Sequence, residues 1–280
     1  MKDFKDKVAV ITGAGSGIGR GLSLHAASLG MRLVLADINQ DGLAETMDLV
    51  SEHEVEAISR KVDVASSVSV ESLAGETFEH FQNCHLLFNN AGVLGPGAIR
   101  DTNEEQFKWL MDINIGGCYN GIKAFLNPML EKGEEGHIVA TCSTSGFIAY
   151  PMLGLYSASK FAIRGLMSTL RGELMGTNIS TSIVCPGEVD TGILSSVFPT
   201  NSPVTPTEDT SIDNAREMLD VAADDAQGKS FPISPAEAAE AIFSGIQNKD
   251  FYIFTHSGYK DSVEEISQEY LAAFEHAKFT

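Results

Sequence analysis

The chain is 280 residues long, with 43% apolar residues, 20% charged residues and a formal net charge of −19 at pH 7. This balance is typical of a soluble globular protein with enough length for a sizeable core. Nucleic-acid binding needs clustered lysines and arginines, and anionic lipid repels an acidic surface. The charge therefore argues against both a nucleic acid and a membrane as partners.

The four cysteines are widely spaced and form no C-x-x-C pair, which favours free thiols in a reducing compartment. The seven histidines show no spacing typical of a metal site, so we expect no metal. No apolar stretch approaches the roughly 20 residues that span a bilayer, and the first residues are too polar for a secretory signal. We expect a cytoplasmic protein.

Short apolar runs alternate with helical patterns along the chain. The runs predict strands at residues 8–11, 33–36, 57–62, 86–88, 137–140 and 179–184. Helices are predicted up to about residue 29, near 41–54, near 68–81 and before the fifth strand. Helices between short buried strands imply parallel pairing with helices on both faces. The pattern predicts an α/β protein built on a doubly wound parallel sheet, the Rossmann fold.

One segment, 193–234, interrupts this alternation. It contains prolines, acidic residues and scattered large apolar side chains, and no strand or helix pattern is evident. Long irregular segments inside a compact domain are usually functional loops or disordered. We therefore predict a single domain over 1–280, with 193–234 as a substrate-binding lid.

A glycine-rich turn, T-G-A-G-S-G-I-G at 12–19, joins the first strand to the first helix. Glycines let the backbone approach a pyrophosphate, and the free N–H groups of a helix start attract its charge. The spacing does not fit the G-x-G-x-x-G dinucleotide fingerprint, and a plain flexible turn is the alternative interpretation. The strand before it and the helix after it favour a phosphate site.

Asp37 ends the second predicted strand, at the distance from the turn expected of the acid that holds an adenosine ribose. A carboxylate accepts bonds from both ribose hydroxyls but repels a 2′-phosphate. No lysine or arginine stands at 38 or 39, and Ser16 rather than a basic residue precedes Gly17. NAD is therefore favoured over NADP. The alternative is that Asp37 merely caps the next helix.

These residues and later motifs resemble the short-chain dehydrogenase/reductase family, over about residues 5 to 192. The motifs are T-G-x-x-x-G-x-G at 12–19, an acid at Asp63, N-N-A-G at 89–92, Asn114, Ser143, Y-x-x-x-K at 156–160 and P-G-x-V-x-T at 186–191. The resemblance implies a catalytic set of Asn114, Ser143, Tyr156 and Lys160. Together with Asp37, the positions expected to bind the cofactor are Gly13, Ser16, Gly17, Ile18, Gly19, Asp63, Val64, Asn90, Ala91, Gly92, Tyr156, Lys160, Pro186, Gly187, Val189 and Thr191.

The chemistry expected of this set is removal of an alcohol proton while a hydride leaves the same carbon. A free tyrosine has a pKa near 10, too high for a base at neutral pH. Lys160 lies four residues beyond Tyr156, on the same face of a helix, where its ammonium favours phenolate. Lowering the pKa by about three units needs roughly 4 kcal/mol, which one close cation in a partly desolvated site could supply with help from the positive nicotinamide ring of NAD⁺. Ser143 would hydrogen-bond the reacting oxygen.

The resemblance also assigns roles to three cofactor-side residues. Lys160 is expected to bind the nicotinamide ribose, Asn114 to hold a water linked to Lys160, and Thr191 to orient the carboxamide. Taken alone, Tyr156 and Lys160 are more often an amphipathic surface pair, Ser143 a strand-end or turn hydroxyl, and Asn114 a helix-bend or turn residue. Their joint spacing behind a cofactor loop favours the catalytic interpretation.

The substrate pocket is expected to be bordered by 93–98, 147–155 and the lid. The apolar side chains in these segments are Leu94, Phe147, Ile148, Tyr150, Met152, Leu153, Leu194 and Phe198. This lining favours a hydrophobic secondary alcohol or ketone over a sugar or a carboxylate, although core packing explains some of these side chains equally well.

Two other functions stay open. One is an NADPH-dependent carbonyl or 3-oxoacyl reductase of the same family, which Asp37 and the acidic surface disfavour. The other is a non-catalytic NAD-sensing module, which would not need Ser143, Tyr156 and Lys160. The resemblance further implies a homotetramer or homodimer. The spacing of apolar residues over 263–274 predicts a C-terminal helix that covers either the lid or a neighbouring subunit.

Overall fold

The structure is a computed structural model that describes residues 1–191, 193 and 231–277. Its strands are β1 (Val8–Thr12), β2 (Arg32–Asp37), β3 (Ala57–Lys61), β4 (Leu86–Asn89), β5 (Gly136–Thr141), β6 (Ile179–Cys185) and β7 (Tyr252–Phe254). Its helices are α1 (Gly17–Ser28), α2 (Gln40–Ser51), α3 (Ser67–Phe81), α4 (Glu104–Met111), α5 (Gly117–Lys132), α6 (Gly154–Glu173), α7 (Pro235–Asn248) and α8 (Lys260–Phe274). Nearly all of the predicted lid, including Leu194 and Phe198, lies outside the described residues.

The seven strands form one sheet in the order β3-β2-β1-β4-β5-β6-β7, and every neighbouring pair is parallel. This confirms the predicted fold, and the six predicted strands lie within a residue of their observed ends. The prediction missed β7, which has three residues, two of them exposed. Since β1 pairs with both β2 and β4, the strand order reverses direction at β1. In open parallel sheets the crevice that binds ligands lies at such a reversal, beyond the carboxyl ends of the strands.

Two apolar layers hold helices to the two faces of the sheet. Alternating residues of β1 divide between them, with Val8 and Val10 in one layer and Ala9 and Ile11 in the other. Helices α3, α5 and α6 cover the first face, and α1, α2 and α7 cover the second. Because both faces of the central strands are buried, β1 and β4 read as short apolar runs in the sequence.

Side-chain caps fix where several helices begin. Asn39 accepts a bond from the N–H of Gly42 at the start of α2, and Ser66 does the same for Ser69 in α3. No helix in the described part of the chain is long and apolar enough to cross a membrane. The predicted C-terminal helix is present as α8, and none of its residues is buried in this chain.

Candidate active site

The ends of β1 and β4 are joined by the side chain of Thr12. Its hydroxyl accepts the N–H groups of Asn90 (3.0 Å) and Ala91 (3.1 Å) and donates to the carbonyl of Phe88 (3.1 Å). The Asn90 amide returns a bond to the Thr12 carbonyl at 3.0 Å. These bonds place the N-N-A-G segment directly beside the glycine-rich turn. The sequence motifs alone indicate no separate role for Thr12.

The turn has an unusually close backbone packing. Gly13 (φ +68°) and Gly17 (φ +49°) adopt left-handed conformations, and a Cβ on Gly19 would overlap the carbonyl oxygen of Gly13. Ser16 precedes α1 in an extended conformation, and its side chain makes no capping bond. The first N–H groups of α1 therefore have no side-chain acceptor there, which is the arrangement that binds a phosphate.

Asp37 lies at the carboxyl end of β2, against this turn. One carboxylate oxygen accepts the N–H of Gly15 at 2.8 Å, and the other accepts the N–H of Asn39 at 2.8 Å. The cap of α2 is Asn39 rather than Asp37, so helix capping does not account for the acid. The nearby Arg20 is already bonded to the carbonyl of Gly15 at 2.6 Å.

Two further expected cofactor positions follow β3. Asp63 is exposed, and its carboxylate accepts the N–H of Ala65 at 3.0 Å. Val64 is buried beside Gly117, where a Cβ would stand 2.7 Å from a Val64 methyl group. Asn120 donates to the Val64 carbonyl at 2.9 Å. This strand end is thus fastened to α5 while the Asp63 side chain stays accessible.

Ser143, Tyr156 and Lys160 come together at the carboxyl end of β5. Ser143 follows that strand and starts a short 3-10 turn, whereas the other two lie on α6. Tyr156 and Lys160 are only 7% and 4% exposed, and the phenol is hydrogen-bonded to Ser143. The Lys160 ammonium lies 5.4 Å from the centre of the Tyr156 ring. The four-residue spacing therefore does place both side chains on one face of the helix.

The electrostatics of this pair differ from the expectation. Burial raises the pKa of Tyr156 despite the opposing hydrogen bond from Ser143, and burial lowers the pKa of Lys160. The Lys160 ammonium donates to the carbonyl of Thr141 at 3.0 Å rather than to the phenol. In the chain alone Lys160 thus does not bring the pKa of Tyr156 down, because desolvation outweighs a cation that is directed elsewhere. The predicted joint effect of Lys160 and the NAD⁺ ring stays a prediction.

Asn114 lies in a π-helical turn, Asp112–Gly116, between α4 and α5. Its side chain accepts the N–H of Val93 (2.8 Å) and donates to the Val93 carbonyl and the Ser159 hydroxyl, both at 3.0 Å. A Cβ on Gly92 would stand 3.2 Å from this amide and 3.6 Å from the Lys160 nitrogen. Both amide protons of Asn114 are thus committed to protein groups, whereas its amide oxygen accepts one N–H and keeps a second lone pair.

The P-G-x-V-x-T segment follows β6 and closes the other side of the crevice. The Pro186 carbonyl accepts the N–H of Thr144 at 2.9 Å, and Val189 pairs with Ile233. A Cβ on Gly17 would stand 3.0 Å from the Cβ of Thr191. The carboxyl ends of β1 and β6 therefore meet over the start of α1.

Tyr156 belongs to a small apolar cluster that is separate from the two layers of the sheet. Its buried members are Leu94, Leu110, Leu153 and Tyr156, with Val93, Trp109, Tyr150, Leu155 and Ile193 packed against them. Three of the predicted pocket residues lie here, and Trp109 and Leu110 of α4 were not predicted. Phe147 instead packs against Tyr252 and Phe254 beside β7. Within the described ranges, no group of three or more His, Cys, Asp or Glu residues could hold a metal.

Comparison with known proteins places this geometry in a family. A crystal structure of a short chain dehydrogenase/reductase from Burkholderia phymatum in complex with NAD is 36% identical, with a TM-score of 0.87 and coverage of 96% of this chain and 97% of that one. An uncharacterised oxidoreductase of Listeria monocytogenes is 36% identical over 69% of this chain and 79% of its own length. The 1-deoxy-11-beta-hydroxypentalenate dehydrogenase of Streptomyces avermitilis is 31% identical over 91% of this chain and 86% of its own length. The family model for short chain dehydrogenases matches residues 7–202. The chain belongs to the short-chain dehydrogenase/reductase family and is an oxidoreductase of that family.

Proposed function

We propose that the protein transfers a hydride between NAD(H) and the CH–OH or C=O group of a hydrophobic secondary alcohol or ketone. The observation that carries this proposal is the convergence of Ser143, Tyr156 and Lys160 at the carboxyl end of β5, beside a glycine-rich turn with an uncapped helix start. Asn114 supports the set from behind through Val93 and Ser159.

The residues present fit NAD. The uncapped start of α1 and the left-handed Gly13 and Gly17 suit a pyrophosphate. Each carboxylate oxygen of Asp37 accepts one protein N–H, which leaves further lone pairs for the two ribose hydroxyls. The same carboxylate would repel the 2′-phosphate of NADP. The likeness to a structure that contains NAD supports this choice.

The expected chemistry follows from the protonation of Tyr156 in the folded protein. Since burial favours neutral Tyr156, the phenol is ready to donate its proton to a carbonyl oxygen during reduction. Ser143 stabilises the oxygen that becomes negative, and Lys160 stabilises the phenolate left behind. In the reverse direction the phenolate takes the alcohol proton, and bound NAD⁺ would supply the acceptor for the hydride that leaves the same carbon. The acceleration expected from such a positioned acid or base is about 10²- to 10⁴-fold.

The substrate class is inferred from the apolar cluster around Leu94, Leu110 and Leu153. Such a lining gains from burial of an apolar ring, and the described members of the cluster include no cationic side chain to pair with a carboxylate. The name of the Streptomyces relative, a dehydrogenase of a hydroxyl-bearing compound, agrees with an alcohol as the substrate.

The proposal is tested by a screen of NAD⁺ reduction at mildly alkaline pH over aryl, alicyclic and sugar alcohols. We expect turnover of the apolar secondary alcohols, no turnover with NADP⁺, and loss of at least a hundredfold in kcat for Tyr156→Phe with NADH binding unchanged. Faster turnover of sugar alcohols would reject the substrate class. Full activity with NADPH would favour the carbonyl or 3-oxoacyl reductase. NADH binding with no turnover of any alcohol or ketone would favour the NAD-sensing module.

We also propose a single cytoplasmic domain that assembles as a homodimer or homotetramer, with 193–234 as its lid. The exposed side chains of Tyr270, Leu271 and Phe274 on α8 support an assembly, because a neighbouring copy would cover them. Sedimentation velocity at micromolar concentration tests the assembly, and a purely monomeric species would contradict it.

A further inference from the structure

Arg20 stands directly after the glycine-rich turn, on α1, and its side chain folds back onto the turn. Its Nη2 donates to the Gly15 carbonyl at 2.6 Å and to a carboxylate oxygen of Glu45 at 2.7 Å. Its Nε donates to the Thr46 hydroxyl at 3.0 Å. Glu45 and Thr46 both lie on α2. One guanidinium thus connects the turn to the next helix of the fold.

The turn and α2 are in close contact at the same place. A Cβ on Gly42, in the first turn of α2, would stand 2.8 Å from the Gly15 carbonyl oxygen. Thr46 is fully buried, and its hydroxyl lies 2.9 Å from the carbonyl oxygen of Ala14 and 3.0 Å from that of Gly42. Because this hydroxyl has one proton, it donates to one of these carbonyls and accepts the Nε proton of Arg20. A buried side chain therefore holds one edge of the guanidinium in place.

The bond to the Gly15 carbonyl sets the direction of the next N–H along the chain. In a planar trans peptide, the carbonyl and the N–H point in opposite directions. Since the Gly15 carbonyl points to Arg20, the N–H of Ser16 points away from Arg20, and we expect it to face the pyrophosphate. The N–H of Gly15 is also held, by a carboxylate oxygen of Asp37 at 2.8 Å. Arg20 thus fixes the residue that connects the phosphate turn with the ribose acid.

Glu45 determines how much positive charge Arg20 presents to this site. Its side chain is 67% exposed, whereas that of Arg20 is 29% exposed. An exposed ion pair contributes little to folding stability, so the fold does not depend on Glu45. The carboxylate does neutralise an arginine that is joined to Asp37 through the two polar groups of Gly15. A guanidinium that lacks this partner would attract the 2′-phosphate of NADP.

We propose that Arg20 and Glu45 together set the cofactor preference at the adenosine end of the site. Arg20 is a positioning residue, which fixes Gly15 beside Asp37 and supports the binding of either cofactor. Glu45 is a specificity-determining residue, which holds and neutralises the guanidinium so that it does not recruit a 2′-phosphate. The inference rests on the proposed function, since that function assigns Asp37 to the ribose and the glycine-rich turn to the pyrophosphate.

Three variants and one control separate the two roles. Glu45→Gln removes the carboxylate charge but keeps an oxygen that can accept from Arg20. Arg20→Met removes the donors but keeps an unbranched side chain, and Arg20→Lys restores a cation without the planar fork. The matched control is Glu76→Gln, because Glu76 forms an ion pair with Arg60 elsewhere on the surface and its replacement changes the net charge by the same amount. Thermal unfolding verifies that each variant is folded.

The readouts are the Kd values of NADH and NADPH, measured by fluorescence titration. We expect Glu45→Gln to raise the ratio of NADPH affinity to NADH affinity about threefold to tenfold, because the unneutralised cation attracts the additional phosphate. Added salt should reduce this effect. We expect Arg20→Met to weaken NADH about fivefold to tenfold, as for a lost hydrogen bond, and Arg20→Lys to weaken it less. A merely structural loosening of the turn would weaken both cofactors alike and leave the ratio unchanged.

Either of two results would overturn the inference: an affinity ratio that changes no more in Glu45→Gln than in Glu76→Gln, or an NADH Kd in Arg20→Met equal to that of the wild type. A wild type that prefers NADPH would refute the proposed NAD preference, whereas the ratio measured in Glu45→Gln would still decide the role of that residue. If the wild type binds neither cofactor, both proposals fall together.

Discussion

Acidification is expected to destabilise this protein through His137, a histidine of β5 that is 1% exposed. Its Nε2 lies 2.8 Å from the Ser182 hydroxyl, which in turn donates to the Asp250 carbonyl at 2.6 Å. Ser182 must therefore accept a proton from Nε2, and Nδ1 is left bare with no hydrogen-bond partner. Protonation at Nδ1 would place a charge and an unsatisfied donor in the core. Burial accordingly lowers the pKa of His137 from 6.5 to about 3.

The sign and the size of this change in folding stability follow from proton linkage. A depressed pKa in the folded state means that the unfolded chain binds the proton more readily as the pH falls below 6.5, so stability is lost from there down to about pH 3. Each pKa unit corresponds to about 1.4 kcal/mol, so the whole shift is worth about 5 kcal/mol and the loss by pH 5 is about 2 kcal/mol.

Urea unfolding at pH 7.5 and pH 5 measures this loss, with His137→Gln as the control. Glutamine can still donate to Ser182 but does not titrate, and other groups cancel between the two proteins. We expect the wild type to lose about 2 kcal/mol more than the variant over this interval. Equal losses in the two proteins, within about 0.5 kcal/mol, would refute the reasoning.

Three further predictions concern the site. Because burial raises the pKa of Tyr156, kcat/KM for oxidation should rise about tenfold per pH unit between pH 7 and 9, while kcat/KM for reduction stays constant. A plateau in kcat/KM for oxidation within this range would contradict the expectation. In fluorescence titrations, Asp37→Asn should weaken NADH binding about tenfold and reduce the ratio of NADH affinity to NADPH affinity. Asp41→Asn, at an exposed position, should change neither affinity. Gly19→Ala should abolish NADH binding or folding, because the added Cβ would overlap the backbone carbonyl of Gly13. In Gly165→Ala the added Cβ meets nothing within 4 Å, so the free energy of unfolding in urea should rise by about 0.5–1 kcal/mol.

The sheet could be predicted from the sequence because its strands are buried on both faces. Val8 to Ile11 of β1 are all fully buried, so the strand is an uninterrupted apolar run between polar turns. Strand β7 gives no such signal, since Tyr252 and Phe254 point outward and only Ile253 between them is buried. Its place is set by pairing with β6, a contact between distant parts of the chain.

In the candidate site, too, features set by local spacing could be predicted, whereas features set by contacts between distant residues could not. Spacing on one helix put Tyr156 and Lys160 on a common face, and the structure agrees. The direction of the Lys160 ammonium depends on the Thr141 carbonyl of a neighbouring strand, which no local pattern reveals. The π turn at Asn114 and the contact between Gly187 and Thr255 are likewise products of tertiary packing. Local motifs therefore predicted which residues lie close together, whereas tertiary packing determines their pKa shifts and hydrogen-bond partners.

The raised pKa of the buried Tyr156 leads to a last prediction. Among the described residues, no group brings the pKa of Tyr156 below its ordinary value, so we expect positive charge from outside the chain to favour the phenolate needed for oxidation. The nicotinamide ring of NAD⁺ carries such a charge, and NADH does not. A unit charge about 5 Å away at an effective dielectric constant of about 20 contributes about 3 kcal/mol, or about two pKa units.

Titration of tyrosinate by ultraviolet absorbance, with NAD⁺ and with NADH, tests this coupling. The difference between wild type and Tyr156→Phe isolates one of the six tyrosines. We expect the apparent pKa of Tyr156 to fall by about two units with NAD⁺ and to change little with NADH. By the reciprocity of linked equilibria, NAD⁺ must then bind more tightly as the pH rises, whereas NADH binding stays constant. Equal pH dependence for both cofactors would show that the charge on Tyr156 is set by the protein alone.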